Sequence, residues 1–527
     1  MADAPQDRRR FDRLAARITL FQALLQAVSQ HGKSRIALED PERQPITYGR
    51  LVLGALVLGR KLAARTQPRE HVGLLLPNVQ AMAVTLFGLT AHGRVPALLN
   101  FTAGAKNLRA AAELAQLRCI VTSRRFVDQA RLEDEIAALA EQGRRILYLE
   151  DIRREITSLD KALGALASLA PGLAQRGHRA APDDAAVVLF TSGTEGKPKG
   201  VVLSHANLVS NARQIFALAD GFLSERDIVM NPLPAFHSFG LTAGLLMPLL
   251  HGMKVVLYPS PLHYKQVPKL IGEMGATFLF ATDTFLQGYA RAADAGDLKS
   301  VRYVVAGAER VKAETRRMWE PYGTTILEGY GCTECSPVLA CNTPVAMREG
   351  SVGRLLPGIE ARLEPVEGIT EGGKLCVRGP NIMAGYLSAD RPGQIVPPEG
   401  GWHDTGDIVT LEDGYITIKG RAKRFAKLGG EMVSLAAVET MVAGLWPAHN
   451  HVVVSLPDAR KGEQLVLVTE KPDADRTALH AEAKAQGYPE LWLPRALLVT
   501  ASIPVLGNGK IDYGATRELA ASRRSLL

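Results

Sequence analysis

The sequence predicts an α/β protein with a large N-terminal domain and a small C-terminal domain. Apolar runs alternate with helical patterns over more than half of the chain, which is typical of mostly parallel sheets covered by helices. Short glycine-punctuated strands at residues 349–418 predict a small β-barrel-like subdomain. A basic, glycine-bounded stretch at residues 420–430 then precedes further strands and helices, as expected of a small, mobile α+β domain. We therefore expect an N-terminal domain over residues 1–419 and a C-terminal domain over residues 420–527.

The individual elements follow from the spacing of apolar residues. Residues 7–30 mix arginine with apolar residues at helical spacing, which predicts a surface helix packed on the core, with a basic helix on a membrane surface as the alternative. Further helices are predicted at residues 51–63 and 78–92. Strands are predicted at residues 72–76, 95–99, 119–122, 145–149, 185–190, 255–258, 277–281 and 303–306, and in the C-terminal domain at residues 452–455 and 465–469.

The composition indicates a folded protein that attracts acidic partners. The chain is 46% hydrophobic and carries a net charge of +8, which favours nucleic acid, anionic lipid and an acidic carrier protein alike. Aromatic residues make up 6% of the chain, and the sequence has no basic stripe interleaved with them, which argues against nucleic acid. The sequence shows neither an apolar run long enough to span a membrane nor a secretory signal.

The five cysteines are too few in a chain of this length for a disulfide framework, so we expect a reducing, cytoplasmic setting. Cys332 and Cys335 have the spacing of a metal or redox pair. Because no second such pair completes a site in the sequence, we assign these positions to the motif around Tyr330 instead.

The first motif is a loop of small, hydroxylated and basic residues that follows the predicted strand at 185–190. Glycines let backbone N–H groups face an anion, and the hydroxyl and lysine side chains add donors and charge, as a polyphosphate requires. The loop lacks the Walker A pattern, because Thr191 stands where that pattern needs glycine and Pro198 where it needs serine or threonine. A plain Gly/Lys surface loop is the alternative. The candidate residues are Thr191, Ser192, Gly193, Thr194, Glu195, Gly196, Lys197 and Lys199.

The second motif is Glu328-Gly-Tyr-Gly-Cys-Thr-Glu-Cys-Ser-Pro337. An aromatic ring beside glycines can stack on a base, a threonine hydroxyl can donate to a phosphate, and a glutamate can hold Mg²⁺. Near the C-terminus, Ile503-Pro-Val-Leu-Gly-Asn-Gly-Lys-Ile-Asp512 places Lys510 in a glycine-rich turn, for which a plain surface turn is the alternative. Asp407 ends Trp402-His-Asp-Thr-Gly-Asp407, where a carboxylate can accept hydrogen bonds from two adjacent hydroxyls, with an acidic β-turn as the alternative.

In this order, the motifs resemble those of the adenylate-forming (AMP-binding) superfamily, which includes acyl-CoA synthetases, luciferases and peptide-synthetase adenylation domains. Within it, the chain resembles the synthetase portion of the bifunctional acyl-acyl carrier protein synthetase/2-acylglycerophosphoethanolamine acyltransferases. The likeness rests on residues 420–434, 328–337, 379–386 and 489–494. We expect the chain to perform ligation alone, because the acyltransferase motif of that family has no credible match.

The resemblance implies a role for each candidate residue. His237, in Pro-Ala-Phe-His-Ser-Phe-Gly, corresponds to a position at the acyl pocket, with a structural histidine as the alternative; Arg424 and Lys427 are either phosphate contacts or a solvated basic face. The remaining assignments are Gly307, Ala308 and Glu309 under the adenine and the substrate carboxylate; Tyr330 against the adenine, with Glu328, Gly329 and Gly331 as further nucleotide-binding positions; Thr333 at the α-phosphate; Glu334 and Thr194 on Mg²⁺; Asp407 and Arg421 on the ribose; Lys423 at a hinge; Gly429 and Gly430 in a pantetheine tunnel; and Lys510 between the carboxylate and the α-phosphate.

The implied reaction is the ATP- and Mg²⁺-dependent activation of a medium- to long-chain fatty acid to acyl-AMP. The acyl group then passes to the phosphopantetheine thiol of acyl carrier protein, with CoA as the alternative acceptor. A non-catalytic adenylate-binding protein is disfavoured because Lys510 and Glu334 are both present. We expect a cytoplasmic protein, with peripheral contact to an anionic membrane and the oligomeric state left open.

Overall fold

The computed structural model describes residues 11–170, 180–192, 198–219, 221–369, 371–428, 431–458, 462–505 and 511–523. The α-helices are Leu20–His31, Tyr48–Ala63, Gln80–Ala91, Ala105–Leu114, Arg124–Ala130, Glu133–Glu141, Leu149–Arg154, Ser158–Leu169, His205–Leu218, Met247–Leu250, Gln266–Met274, Asp283–Ala292, Ala313–Trp319, Leu435–Leu445, Arg476–Ala485 and Tyr513–Ser522, and Phe239–Leu246 is a π-helix.

The strands are β1 (Ile36–Glu39), β2 (Ile46–Thr47), β3 (His71–Leu74), β4 (Val95–Leu98), β5 (Cys119–Thr122), β6 (Arg145–Tyr148), β7 (Ala185–Ser192), β8 (Pro198–Ser204), β9 (Ile228–Asn231), β10 (Lys254–Leu257), β11 (Phe278–Ala281), β12 (Tyr303–Ala306), β13 (Thr325–Gly331), β14 (Val338–Cys341), β15 (Arg354–Leu355), β16 (Glu360–Glu364), β17 (Gly373–Arg378), β18 (Gly385–Leu387), β19 (Ile395–Val396), β20 (His403–Glu412), β21 (Tyr415–Arg421), β22 (Phe425–Leu428), β23 (Glu431–Ser434), β24 (His451–Asp458), β25 (Gly462–Thr469) and β26 (Ala496–Val499).

The chain divides into two compact units. The first unit contains the residues up to Glu360 together with Arg378–His403, and the second contains Ala361–Val377 together with the chain from Asp404 onward. The α/β class with a large N-terminal and a small C-terminal part is thereby confirmed. The predicted boundary at residue 420 separates a mobile C-terminal domain from the rest of the chain, and it stays a prediction.

The first sheet of the first unit has the strand order β15-β14-β13-β12-β11-β9-β10-β1-β2. From β13 to β1 all neighbours are parallel, while β14, β15 and β2 join antiparallel at the ends. All four residues of β11 are buried, as expected for a parallel strand that is covered on both faces. The carboxyl ends of β9, β12 and β13 lead into the segments that carry the candidate site.

The second sheet has the order β19-β18-β8-β7-β4-β3-β5-β6. Alternate residues of β7 face opposite sides of this sheet. Val187 and Leu189 belong to the main apolar core, and Val188 belongs to a second core that includes Leu108 of the helix Ala105–Leu114. Strand β8 pairs antiparallel with β7; it was not predicted, because its residues were interpreted as part of the loop.

The N-terminal helix begins at Leu20, later than predicted, where Thr19 provides a capping box with Gln22. Leu20, Phe21 and Leu24 of this helix are fully buried, so its apolar face packs on the core of the first unit. The backbone N–H of Leu20 also donates to Nδ1 of the buried His205 at 3.2 Å. In the described part of the chain, no helix combines the length and the apolar character needed to cross a membrane.

The second unit contains the strand order β16-β17-β20-β21 and a five-stranded sheet with the order β23-β22-β25-β24, in which β26 pairs with β25. The five-stranded sheet has an apolar core of its own, to which the helices Leu435–Leu445 and Arg476–Ala485 contribute Val438 and Leu479. The short strands β16, β17, β20 and β21 lie where glycine punctuation predicts β-structure.

Candidate functional site

The segment after β9 carries His237 and is held by a buried asparagine. Asn231, the last residue of β9, donates from Nδ2 to the carbonyl of Gly240 at 3.0 Å, and its Oδ1 accepts from the backbone N–H of Leu233 at 3.2 Å. A Cβ on Gly244 would lie 2.4 Å from that Oδ1, so the glycine is required for the π-helix to pass this close. Such π-helical turns are frequent at functional sites.

Two residues of the segment contact two of the predicted loops. Oγ of Ser238 lies 3.4 Å from Oγ1 of Thr333, and a Cβ on Gly307 would lie 3.2 Å from the ring of Phe239. The half-buried His237 directly precedes Ser238, and its ring centroid is 4.7 Å from that of Phe236. The structure therefore brings the segment with His237 beside Thr333 and Gly307.

Glu334 and Lys199 are connected through a residue that was not predicted. The hydroxyl of Tyr386 donates to Oε1 of Glu334 at 2.7 Å, and Nζ of Lys199 lies 5.0 Å from the centroid of the same ring, within cation–π range. Burial, followed by the negative charge of Glu334, raises the pKa of Tyr386, so the hydroxyl stays protonated and donates. The sequence contained one signal, since Tyr386 ends one of the stretches that carry the family resemblance.

The position of Glu334 fits a role as a Mg²⁺ ligand. Its Oε1 accepts from Tyr386, and none of the described residues donates to its Oε2. Carboxylate oxygen is a ligand that Mg²⁺ prefers, and such sites commonly pair one carboxylate with substrate phosphate. If bound, the ion would supply charge neutralisation at the phosphates.

Glu328 has partners within the protein. Its Oε2 accepts from Arg316 at 2.6 Å, and its Oε1 accepts from the backbone N–H of Val311 at 3.3 Å. These contacts hold the end of β13 against the chain near the helix Ala313–Trp319. Tyr330, two residues later, is buried and pairs across β13 and β14 with Ala340.

The two glycines beside Tyr330 differ in what surrounds them. A Cβ on Gly331 would lie 2.0 Å from the backbone oxygen of Pro337, so glycine is required there by the fold itself. A Cβ on Gly329 would meet its nearest neighbour, a methyl group of Val305, at 3.4 Å, which is an ordinary contact. Close backbone packing thus explains Gly331 without reference to a ligand.

The loop at residues 307–309 follows β12. Ala308 has a φ of +66°, a left-handed conformation that is uncommon for residues other than glycine and is found often at functional sites. Oε2 of Glu309 accepts from the backbone N–H and the hydroxyl of Thr284, at 2.9 Å and 2.8 Å. The carboxylate of Glu309 is therefore held at the start of the helix Asp283–Ala292, where negative charge is favoured.

In the second unit, the structure brings Asp407 and Arg421 together. They are paired positions on β20 and β21, with Nε of Arg421 3.2 Å from Oδ1 of Asp407. The Asp407 side chain is buried, while that of Arg421 is 69% exposed. The pair is thus preformed, and the exposed arginine retains donors for a ligand.

Lys423 and Arg424 lie in the short 3₁₀ turn Ala422–Arg424. Lys423 is exposed. Arg424, in contrast, pairs with the partly buried Glu439 at 2.5 Å and stacks over the ring of Tyr513 at 3.8 Å. Arg424 therefore does not belong to a solvated basic face, whereas Lys427 is 54% exposed and pairs with Glu367.

Several predicted positions lie outside the described residues. They are Gly193, Thr194, Glu195, Gly196, Lys197, Gly429, Gly430 and Lys510, together with the side chain of Ser192. Thr191 and Lys199 are paired positions on β7 and β8, on either side of this loop. The roles assigned to the residues of this loop, to Gly429 and Gly430 and to Lys510 remain predictions.

The structure is thus of the open α/β class, with polar and charged side chains at the carboxyl ends of parallel strands, where folds of this class bind their ligands. A family model described as "AMP-binding enzyme" matches residues 24–387. The chain belongs to this family, and it is an AMP-forming acid–thiol ligase.

Relatives and solved structures agree with this assignment. The chain is 30% identical over 506 residues to a feruloyl-CoA synthase of an Amycolatopsis species, covering 92% of this chain and 97% of the relative. It is 28% identical over 485 residues to a long-chain-fatty-acid–CoA ligase of Yersinia pestis, covering 84% of each. The ATP-bound MatB of Rhodopseudomonas palustris has the same fold, with a TM-score of 0.80, 24% identity, and coverage of 96% of this chain and 99% of that chain.

Proposed function

We propose that the chain activates a medium- to long-chain fatty acid as acyl-AMP and transfers the acyl group to a phosphopantetheine thiol. The apolar character of the segment around His237 is the observation that supports a fatty acid as the substrate. Phe236 and Phe239 flank this residue, Phe236 packs on Phe101 at 5.1 Å and Phe239 on Phe280 at 5.5 Å. These rings favour an aliphatic or aromatic chain over a polar one.

In this proposal the residues of the first unit bind the nucleotide and the carboxylate. Tyr330 stacks on the adenine, Thr333 donates to the α-phosphate, and Glu334 holds Mg²⁺. Lys199 adds positive charge beside the phosphates, where charge accumulates as the carboxylate attacks. The hydrogen bond between Ser238 and Thr333 orients the threonine hydroxyl.

Residues of the second unit complete the reaction in the same proposal. Asp407 and Arg421 bind the ribose, and Lys510 bridges the carboxylate and the α-phosphate. Residues 420–527 then turn about Lys423, whose exposed side chain and short 3₁₀ turn suit a hinge. Gly429 and Gly430 admit the pantetheine arm in the second half-reaction.

Acyl carrier protein is the proposed acceptor, and the net charge of +8 supports it because carrier proteins are acidic. CoA is a second candidate, supported by relatives whose names describe CoA ligases. The proposed setting is the cytoplasm, where the cysteines stay reduced.

The test is a ligation assay with ATP, Mg²⁺ and a panel of fatty acids, with holo-acyl carrier protein or CoA supplied in parallel. We expect pyrophosphate release with aliphatic acids and acyl transfer to the carrier protein. Transfer to CoA alone would show that CoA, and not acyl carrier protein, is the acceptor. Activity with aromatic acids alone would overturn the proposal that the substrate is a fatty acid. Lys510→Ala is the control for catalysis, because it should abolish pyrophosphate release while leaving ATP binding measurable.

A further inference from the structure

Three side chains with metal-binding atoms meet beside the Thr333–Glu334 motif. Sγ of Cys332 lies 3.2 Å from Sγ of Cys335 and 3.7 Å from Nε2 of His403, and the ligand atoms of the three all lie within 4.8 Å of one another. None of the five cysteines forms a disulfide. In the described part of the chain, no other group of three His, Cys, Asp or Glu side chains comes this close.

We propose that Cys332, Cys335 and His403 bind one thiophilic divalent metal ion, with Zn²⁺ as the foremost candidate. Tetrahedral zinc with thiolate and imidazole ligands places two sulfurs about 3.8 Å apart and sulfur about 3.6 Å from nitrogen. The observed separations of 3.2 Å and 3.7 Å require shifts of only a few tenths of an ångström in the ligand atoms. Three protein ligands leave the fourth position for water or another small ligand.

The chain around the ligands is well held. The backbone N–H of Cys335 donates to the carbonyl of Cys332 at 2.9 Å, which closes the turn between them. Nδ2 of Asn381 donates to the carbonyl of Cys335 at 2.8 Å. On the other side, His403 opens β20 directly after Trp402, whose ring lies 4.9 Å from the guanidinium of Arg378.

The chemistry of the ligands selects the metal. Two thiols that release their protons on binding would balance the charge of a divalent ion, and the imidazole stays neutral. Thiolates favour zinc over magnesium, which prefers oxygen. The ion is therefore distinct from the Mg²⁺ expected at Glu334, and a simple disulfide does not account for the imidazole of the buried His403.

The test uses the full-length protein, reduced, treated with a chelator and then desalted. After incubation with Zn²⁺ and a second desalting, we expect one zinc per chain in the wild type and close to none in Cys332→Ser or His403→Gln. Co²⁺ as a probe should give the thiolate-to-cobalt charge-transfer absorption in the wild type alone. Cys341→Ser is the matched control, because this cysteine lies outside the cluster, and it should keep the wild-type stoichiometry.

Two further measurements separate binding from a folding defect. Zn²⁺ should raise the thermal unfolding midpoint of the wild type and leave that of Cys332→Ser unchanged, while the two metal-free proteins should have similar midpoints. His403→Cys should restore the stoichiometry, because it supplies a third thiolate. Equal zinc content in all variants, a Co²⁺ spectrum without sulfur ligation, or a reduced wild type that binds no metal would overturn the proposal.

Discussion

The hydroxyl of Tyr386 offers the most specific test of the candidate site, because a single substitution removes it and keeps the ring. Tyr386→Phe removes the donor that lies 2.7 Å from Oε1 of Glu334 and keeps the ring beside Lys199. A hydrogen bond to a charged group contributes about 1.5–3 kcal/mol, and the half-buried setting favours the lower end. Since about 1.4 kcal/mol corresponds to a tenfold change in rate, we expect kcat/KM for pyrophosphate release to fall by roughly 10–30-fold.

The assay follows pyrophosphate release at several Mg²⁺ concentrations. If Tyr386 orients Glu334 for the metal, the variant should need more Mg²⁺ for half-maximal rate, an effect that a purely structural role would not produce. Tyr386→Leu should lose a few-fold more, because the cation–π contact with Lys199 contributes about 0.5–1 kcal/mol. Tyr488→Phe, in the second unit, is the matched control and should behave as the wild type.

The reasoning fails if Tyr386→Phe retains wild-type kcat/KM when Mg²⁺ is limiting. It also fails if the loss of activity is matched by a large drop in the thermal unfolding midpoint, since the hydroxyl would then stabilise the fold and have no separate effect on Glu334.

Three further predictions concern stability. Arg316→Met should lower the free energy of unfolding in urea by about 2–3 kcal/mol, because it leaves the mostly buried carboxylate of Glu328 without its partner. The double variant Arg316→Met/Glu328→Leu should recover much of that loss. Burial lowers the pKa of His205 to about 4, so between pH ~6.5 and pH ~4 the unfolded state binds a proton that the folded state does not. Within that window the free energy of unfolding should fall by up to about 1.4 kcal/mol for each unit by which the pH is lowered. His205→Gln should flatten that slope in urea titrations at several pH values. Gly331→Ala should cost more than about 3 kcal/mol by thermal unfolding because its Cβ meets backbone, whereas Gly444→Ala, in an open helical position, should stabilise by about 0.5–1 kcal/mol.

Local patterns were sufficient for much of the fold. The predicted strands at residues 119–122 and 303–306 coincide with β5 and β12, because each is a short apolar run bounded by polar residues or glycine. The π-helix Phe239–Leu246 could not be predicted, since its residues are apolar on every side and show no period. Strand β8 was not predicted, because the lysine and glycine near its start are typical of a loop.

Contacts between residues far apart in the chain could not be predicted from the sequence. Glu328 was predicted as a nucleotide-binding position, and only the fold shows that Arg316 engages its carboxylate. The CxxC pair at Cys332 and Cys335 looked incomplete because its third partner, His403, follows far along the chain. Motifs identify which residues are present, but the strand order of the sheet decides which of them meet.

The strand order also affects how the chain folds as it leaves the ribosome. Leu38 in β1 pairs with Val255 in β10, so this edge of the first sheet cannot form until about 220 more residues have been made, which takes roughly 10–40 s at the usual rates of synthesis. The second sheet is completed later still, because its strand β18 at Gly385–Leu387 pairs with β8. During this interval the helix Leu20–His31 lacks part of its packing surface, because the helix Met247–Leu250 that it contacts has not yet been made. The nascent chain should therefore be a chaperone client, and truncations that end before β10 should aggregate.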